Sequence, residues 1–284
     1  MSDRILIISD THLGCPDGAV TSPEALQPLW REATRLVING DVAEIYHPQA
    51  REEAARQTLR LNHLCEQDGV ALTLLSGNHD VCLTDVRHLQ LAGGQVLVTH
   101  GDALHPGISP WGTIAKETTR EFANAISRIE RKNRDKLVVR LNAVHHAGNI
   151  IRWQLDQRYQ TTAILELLTK PWLVLRVWSF WRNFPTLANE FARRHAPKTR
   201  FLVLGHSHRQ GIWHRNGRVI LNTGSFAFPG RPRAVTLEDH RLYVWPIRQR
   251  NGAYQLGRKP ITEYEMLPVP SEQAPPIDQS ASLP

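Results

Sequence analysis

Four short apolar runs in the first hundred residues, each closed by a polar cluster, restrict this chain to few architectures. "RILIIS" (4–9), "RLVIN" (35–39), "VALTLLS" (70–76) and "GQVLVT" (94–99) are apolar without strict alternation. Strands buried on both faces read this way. Between the second and third lies "HPQAREEAARQTLRLNHLCEQDG" (47–69), rich in helix formers and closed by Gly69. Ser22, Pro23 and Glu24 place an N-cap and a first-turn proline at the head of a second helix expected over 22–34. Strand, helix and strand in this order predict an α/β sheet.

Residues 111–197 read differently, as consecutive helices broken by Gly148, Pro171 and Pro185. Strands resume at "RFLVLG" (200–205), and "GIWHRNGRVILN" (211–222) holds two runs joined by Asn216 and Gly217, a type I′ hairpin signal. "AVTLEDHRLYVWPI" (234–247) predicts another hairpin. The tail from 267 is Pro- and Ser-rich and is expected to be disordered. The organisation predicted is one α/β domain over 1–266, carrying a helical insertion at about 106–198.

Each strand-like run ends in residues that carry chemistry. The first gives Asp10 and His12, the second Asp41, the third Asn78, His79 and Asp80, and the fourth His100 and Asp102. The run after the insertion gives His206 and His208. Ligands of open α/β sheets bind beyond the carboxyl ends of strands, so these clusters are expected to converge. Gly40, Gly77, Gly101 and Gly205 let the backbone turn sharply and come close there. Carboxylate and amide oxygens with imidazole nitrogens are donors for hard-to-borderline divalent ions. The spacing of Asp10 with His12, and of His206 with His208, is expected to aim both members of each pair the same way, as alternation along a strand does. Seven candidate ligands exceed the needs of one ion. They suit two ions sharing a carboxylate, about 3.5–4 Å apart, a common device for displacement at phosphorus. Any one of these short motifs is ordinarily a turn; their ordered recurrence after successive strands gives them weight.

Composition narrows the setting. Hydrophobic residues at 41% and charged residues at 21% are enough for a sizeable core and exclude a disordered chain. No stretch approaches the roughly 18 apolar residues that span a bilayer. "MSDRILIISD" meets an Asp before a signal-peptide core can form, so a cytoplasmic protein is expected. Cys15, Cys65 and Cys82 lack CxxC spacing and are expected as reduced, small buried thiols. Residues 116–200 carry 17 Lys and Arg against 7 Asp and Glu, which leaves 17 against 20 for the rest of the chain. A basic segment within an acidic body predicts an anionic partner: phosphates, nucleic acid or lipid headgroups.

"DTH", "GD", "GNHD", "HGD" and "GHSH", in this order, resemble the calcineurin-like metallophosphoesterase superfamily over residues 4–105 and 200–247. The resemblance implies a four-layer α-β-β-α sandwich and metal-dependent hydrolysis of phosphate esters. It implies that Asp10, His12 and His208 hold one metal, that Asn78, His100 and His206 hold the other, and that Asp41 bridges them. A water or hydroxide between the ions would be the nucleophile. His79 would contact the phosphate or protonate the leaving oxygen, with Asp80 orienting its ring, and Asp102 would orient ligands from behind.

Length and the basic, aromatic insertion are similar to the UDP-2,3-diacylglucosamine pyrophosphatases, peripheral membrane enzymes that prefer manganese. That likeness implies two Mn2+ ions (Fe, Zn or Mg being the other choices), a lipid-linked pyrophosphate substrate and contact with the inner membrane face. "KPWLVLRVWSFWRNF" (170–184) interleaves Trp172, Trp178 and Trp181 with Arg176 and Arg182, as suits an interface between acyl chains and headgroups, although packing of the insertion onto the body reads equally well. Two places depart from that subfamily: His79 stands where arginine is usual, and "GDVAEIY" puts Glu44 and Tyr46 near a usual Phe-Glu pair. A nuclease or a general phosphodiesterase or phosphatase of the same superfamily is the alternative. A non-catalytic scaffold is disfavoured because all the motif positions are intact. His105 at the head of the insertion, and "NTGSF" (222–226), are further candidates for the phosphate side.

Overall fold

The computed structural model describes residues 3–15, 18, 20–110, 112, 114–155, 171–227 and 230–268. Its strands are β1 (Ile5–Ile8), β2 (Arg35–Asn39), β3 (Ala71–Leu75), β4 (His88–Leu91), β5 (Val96–Thr99), β6 (Phe201–Leu204), β7 (Gly211–Arg215), β8 (Arg218–Asn222), β9 (Arg233–Glu238), β10 (Arg241–Arg250), β11 (Ala253–Leu256) and β12 (Thr262–Glu265). They form two mixed sheets. The first has the order β11-β10-β9-β1-β2-β3, with β12 also paired to β10, and the second runs β4-β5-β6-β8-β7.

Alternation along the strands assigns every apolar side chain to a layer. Ile7, Val37, Val96, Val98, Phe201, Val203, Val219 and Leu221 meet between the two sheets. Leu6, Ile8, Leu36 and Ile38 face the other way, onto helix α1 (Arg51–Gln67) and a 3-10 helix at Pro23–Leu29. Leu97, Leu202, Leu204 and Ile220 of the second sheet likewise face outward, onto helices α3 (Leu137–Leu155) and α4 (Pro171–His195). Helix, sheet, sheet and helix make the four layers, which explains why these strands are apolar on both faces. Helix α2 (Ala115–Ser127) packs on α3.

Several local expectations are corrected. The helix expected over 22–34 is the short 3-10 helix Pro23–Leu29, because Pro28 inside it has no N–H to give and its ring opposes an α-helical turn. Gly148 and Pro185 do not break helices: Gly148 lies within α3 and Pro185 within α4. Around Pro185, buried Phe184, Ala188 and Phe191 hold α4 onto the second sheet, and tertiary packing outweighs the lost helical bond. Of the cysteines only Cys65 is buried; Cys15 is half-buried and Cys82 exposed. The tail from 269 lies outside the described residues. No helix of the described residues is long and apolar enough to cross a membrane.

The parallel part of the topology sets the site. β1, β2 and β3 run parallel in one sheet, and β5, β6 and β8 run parallel in the other. Their carboxyl ends meet at one edge of the sandwich. There the fully buried Asn39 amide donates to Thr99 O at 2.9 Å and to Val203 O at 3.3 Å, tying β2 to both central strands of the opposite sheet.

Candidate metal centre

All seven candidate ligands come together. Ligand atoms of Asp10, His12, Asp41 and His208 lie within 4.8 Å of one another, as do those of Asp41, His100 and His206. Asp41 belongs to both groups, and Asn78 Oδ1 lies 2.7 Å from His206 Nδ1 and 3.3 Å from His100 Nε2. Asp10, His12, Asp41, Asn78, His100 and His206 are buried. The side chains of His79 and His208 stay 28% and 32% exposed, so the centre opens to solvent on their side.

The convergence does not come from strand alternation. Asp10, His12, Asp41, His206 and His208 all have positive φ, between 48° and 65°, a region that non-glycine residues rarely occupy. The strands end and the backbone turns left-handed at the ligands themselves. Such strain persists only where the surroundings over-determine it, and it gathers at functional sites. Glycines supply part of the restraint by letting ligands pack directly on backbone. A Cβ on Gly205 would collide with Asp10 Oδ2, one on Gly77 with Asp41 Oδ1, and one on Gly40 with the His100 ring.

The donor set fits cations. His206 Nε2 lies 3.2 Å from the Ile108 carbonyl, which can only accept, so the proton sits on Nε2 and Nδ1 presents a lone pair to Asn78 Oδ1. Burial and the neighbouring His100 push His206 down to about 3, which keeps it neutral. His12 Nδ1 donates to Glu44 Oε1 at 2.7 Å, which turns its Nε2 toward His208 Nε2, 3.1 Å away. His100 donates from Nδ1 to the Asn39 carbonyl at 2.9 Å and aims Nε2 at Asp41 Oδ2, 3.2 Å away. Burial opposes charge on His100, but Asp41 overturns it and raises the imidazole well above its ordinary range; Asp41 is held well below its own. Imidazole nitrogens and an amide oxygen gathered around a central carboxylate form a donor set for two divalent ions.

The surrounding residues divide by what they touch. His79 donates from Nδ1 to Glu44 Oε2 at 2.9 Å, its amide donates to Asp41 Oδ1 at 2.8 Å, and its Nε2 lies 4.0 Å from Asp41 Oδ2. Asp80 does not orient that ring, contrary to expectation. Its two oxygens accept the amides of Val42 at 2.5 Å and Gly77 at 2.6 Å, bracing the turns that carry Asp41 and Asn78. Burial, then the charge of Asp41, pushes Asp80 up to about 6. Glu44 takes the role expected of Asp80. Burial acts to raise its carboxyl, and His79 and His12 outweigh burial and hold it low. Asp102 accepts the amide of Ala103 at 3.0 Å and caps the turn after His100.

The "NTGSF" loop braces the backbone that carries Asp10 and His206. Ser225 and the Phe226 amide bond the carbonyl of Asp10, and Asn222 donates to Gly205 O. His105 accepts the amide of Gly107 at 3.0 Å and shapes the entry to the insertion. The tryptophans of α4 separate: Trp181 is half-buried and donates to Ser207 O at 2.8 Å, whereas Trp172 and Trp178 are 53% and 55% exposed.

A family model described as calcineurin-like phosphoesterase matches residues 3–210. No curated protein matches the chain. Solved structures with a similar fold include a dimetal phosphatase from Danio rerio, at 10% identity and TM-score 0.46, covering 89% of this chain and 98% of that one. Vps29 from Chaetomium thermophilum matches at 12% identity and TM-score 0.42, over 93% of this chain and 100% of that one. A conserved uncharacterized protein of Streptococcus pneumoniae TIGR4, described as a predicted phosphoesterase, matches at 13% identity and TM-score 0.38, over 90% and 98%.

Proposed function

The chain belongs to the calcineurin-like phosphoesterase family, hydrolases acting on phosphate esters, and from that premise we propose that it cleaves a phosphodiester or pyrophosphate bond at a dinuclear metal centre. Asp10, His12 and His208 would hold one ion and Asn78, His100 and His206 the other, with Asp41, which belongs to both groups of side chains, shared. The observation that carries this reading is the pair of close contacts, His12 with His208 and His206 with Asn78, on either side of one buried carboxylate. The ions, when bound, lower the pKa of water and offset negative charge developing on phosphoryl oxygens. The chain's own residues do the rest. His79, partly exposed with its Nδ1 held by Glu44, directs Nε2 toward the centre, where it protonates the leaving oxygen. Asp80 and the glycines keep the ligand turns from relaxing.

Mn2+ is the ion proposed, and a nucleotide-linked lipid such as UDP-2,3-diacylglucosamine is the substrate proposed. The support is the solvent face of α4, where Trp172, Leu175 and Trp178 are exposed and the Arg182 guanidinium lies 5.5 Å over the Trp178 ring. Apolar rings beside cations match acyl chains beside phosphates. In this reading the exposed face of α4, whose other side packs on the second sheet, meets the inner membrane face peripherally. A general phosphodiesterase is the second reading, favoured by His79, a proton donor where the lipid enzymes' subfamily usually has arginine. Two assays separate these readings. Mn2+ should restore hydrolysis of an aryl phosphodiester to chelated protein, with Asp41→Ala and Asn78→Ala inactive. Release of UMP from UDP-2,3-diacylglucosamine supports the lipid substrate; diester hydrolysis without UMP release moves the assignment to the general enzyme.

A further inference from the structure

We infer that the helical insertion is clamped to the loop carrying His206 and His208, and that metal occupancy and insertion docking are thereby coupled. The inference rests on the reading of His206 and His208 as ligands. Three contacts reach this loop from the insertion. The Ile108 carbonyl accepts from His206 Nε2 at 3.2 Å, fixing the tautomer. Trp181 Nε1, on α4, donates to the carbonyl of Ser207 at 2.8 Å, between the two histidines. Phe180 sets its ring at 89° to that of His206, with centroids 6.3 Å apart.

Ile108 is itself held by the insertion. It is β-branched with φ +55°, where such a side chain is a genuine outlier, so something must hold it. Its amide donates to His105 O at 2.9 Å. Its Cδ1 fits against Gly148 of α3 so closely that a Cβ there would come within 2.9 Å. Gly148 therefore acts as a socket, which gives a reason for a glycine in mid-helix. The side chain of Ile108 belongs to the insertion and its carbonyl to the metal centre. On the other side of the loop, Arg209 lies 5.7 Å over the Trp181 ring, adding a second hold on the same residue.

His206 and His208 both sit at positive φ, so their loop needs outside restraint to keep two imidazoles aimed inward. Coupling of this kind is reciprocal: loosening the clamp weakens metal binding, and metal binding tightens the insertion. Ile108 and Trp181 act as positioning residues, through His206 and Ser207.

The test uses the full chain, stripped of metal and titrated with Mn2+ by calorimetry, alongside trypsin digestion with and without Mn2+. Trp181→Phe removes the donor and keeps a ring; Leu175→Ser, on the exposed face of α4, is the control. Trp181→Phe should weaken binding of one ion by about 10- to 100-fold, the range for outer partners of metal ligands, with thermal unfolding still cooperative. Mn2+ should slow tryptic cleavage within 116–200 in the wild type and in Leu175→Ser, and much less in Trp181→Phe. Wild-type Mn2+ affinity in Trp181→Phe, or cleavage indifferent to Mn2+, overturns the coupling. His206→Ala separates the two levels: if it still binds two ions, the ligand reading fails. If it loses one while Trp181→Phe binds normally, only the clamp fails.

Discussion

One carboxylate holds two histidines: Glu44 Oε1 lies 2.7 Å from Nδ1 of His12, and Oε2 lies 2.9 Å from Nδ1 of His79. A candidate ligand and the candidate proton donor thus share one anchor, with the ring centroids 5.1 Å apart and nearly perpendicular. Glu44→Gln keeps the shape but cannot accept from both rings at two equivalent oxygens. Its kcat should fall by about 10- to 100-fold with Mn2+ bound and folding intact. An unchanged kcat would remove Glu44 from the mechanism.

Asp41 touches both halves of the centre, so its loss should be felt by both ions. Asp41→Asn should bind fewer than two Mn2+ per chain by elemental analysis and lose more than about a hundredfold in activity, since stabilisation of several kcal/mol is at stake. Full metal content in this variant would argue that the centre is not bridged there.

Gly205→Ala tests close packing directly, because the added Cβ collides with Asp10 Oδ2 and Ser9 Oγ. A cost of about 1–3 kcal/mol in stability is expected from overpacking, with weakened Mn2+ binding as Asp10 is displaced. Gly69→Ala provides the comparison. At φ +69° it is strained, by about 1–2 kcal/mol, yet its Cβ meets nothing within 4 Å, so Mn2+ affinity should not change.

Metal binding should release protons. Asp41 raises His100 well above the ordinary imidazole range, so near neutral pH the metal-free ring is protonated and must lose that proton to act as a ligand. Mn2+ affinity should therefore rise with pH until the His100 pKa is passed. Calorimetry in two buffers of different ionisation enthalpy would detect the released proton, and identical heats would contradict it. Saturation at a hundred times Kd should add about 2.7 kcal/mol to stability.

His145 predicts an acid-labile contact away from the centre. Burial, then Arg87, lowers it to about 4 against the opposing charge of Asp85, with His146 lowering it a little further. Its folded pKa lies below the unfolded value of roughly 6.5, so the unfolded chain binds more protons between these values. Stability should be fully present above about 6.5 and fall as pH drops toward 4. His145→Gln should flatten the dependence of Tm on pH in that window; an unaltered slope would assign it to other groups.

The strand-end clusters were legible because each ligand follows an apolar run buried on both faces, and both sheets had to be present to bury those runs. The backbone that aims the ligands was not legible. The i, i+2 spacing pointed to strand alternation, whereas Asp10, His12, His206 and His208 converge through left-handed turns. Glu44 stood out only by its place near a family motif, and its role as anchor of His79, 35 residues away, emerges with the fold. The strands β4, β11 and β12 have four residues each and mix polar with apolar side chains, so pairing with neighbours, not local pattern, defines them. Gly148 read as a helix breaker, because nothing in the sequence connects it to Ile108, 40 positions earlier.

The buried amide of Asn39 crosses from one sheet to the other just behind the ligands. Asp10, His12, Asp41 and Asn78 come from the first sheet; His100, His206 and His208 come from the second. Neither sheet alone can assemble a full set of donors. Both sheets draw on strands from each half of the chain, since β1 pairs with β9 and β5 with β6. The constellation is thus a property of the interface between the sheets, and its seven side chains can converge only once the two sheets have met.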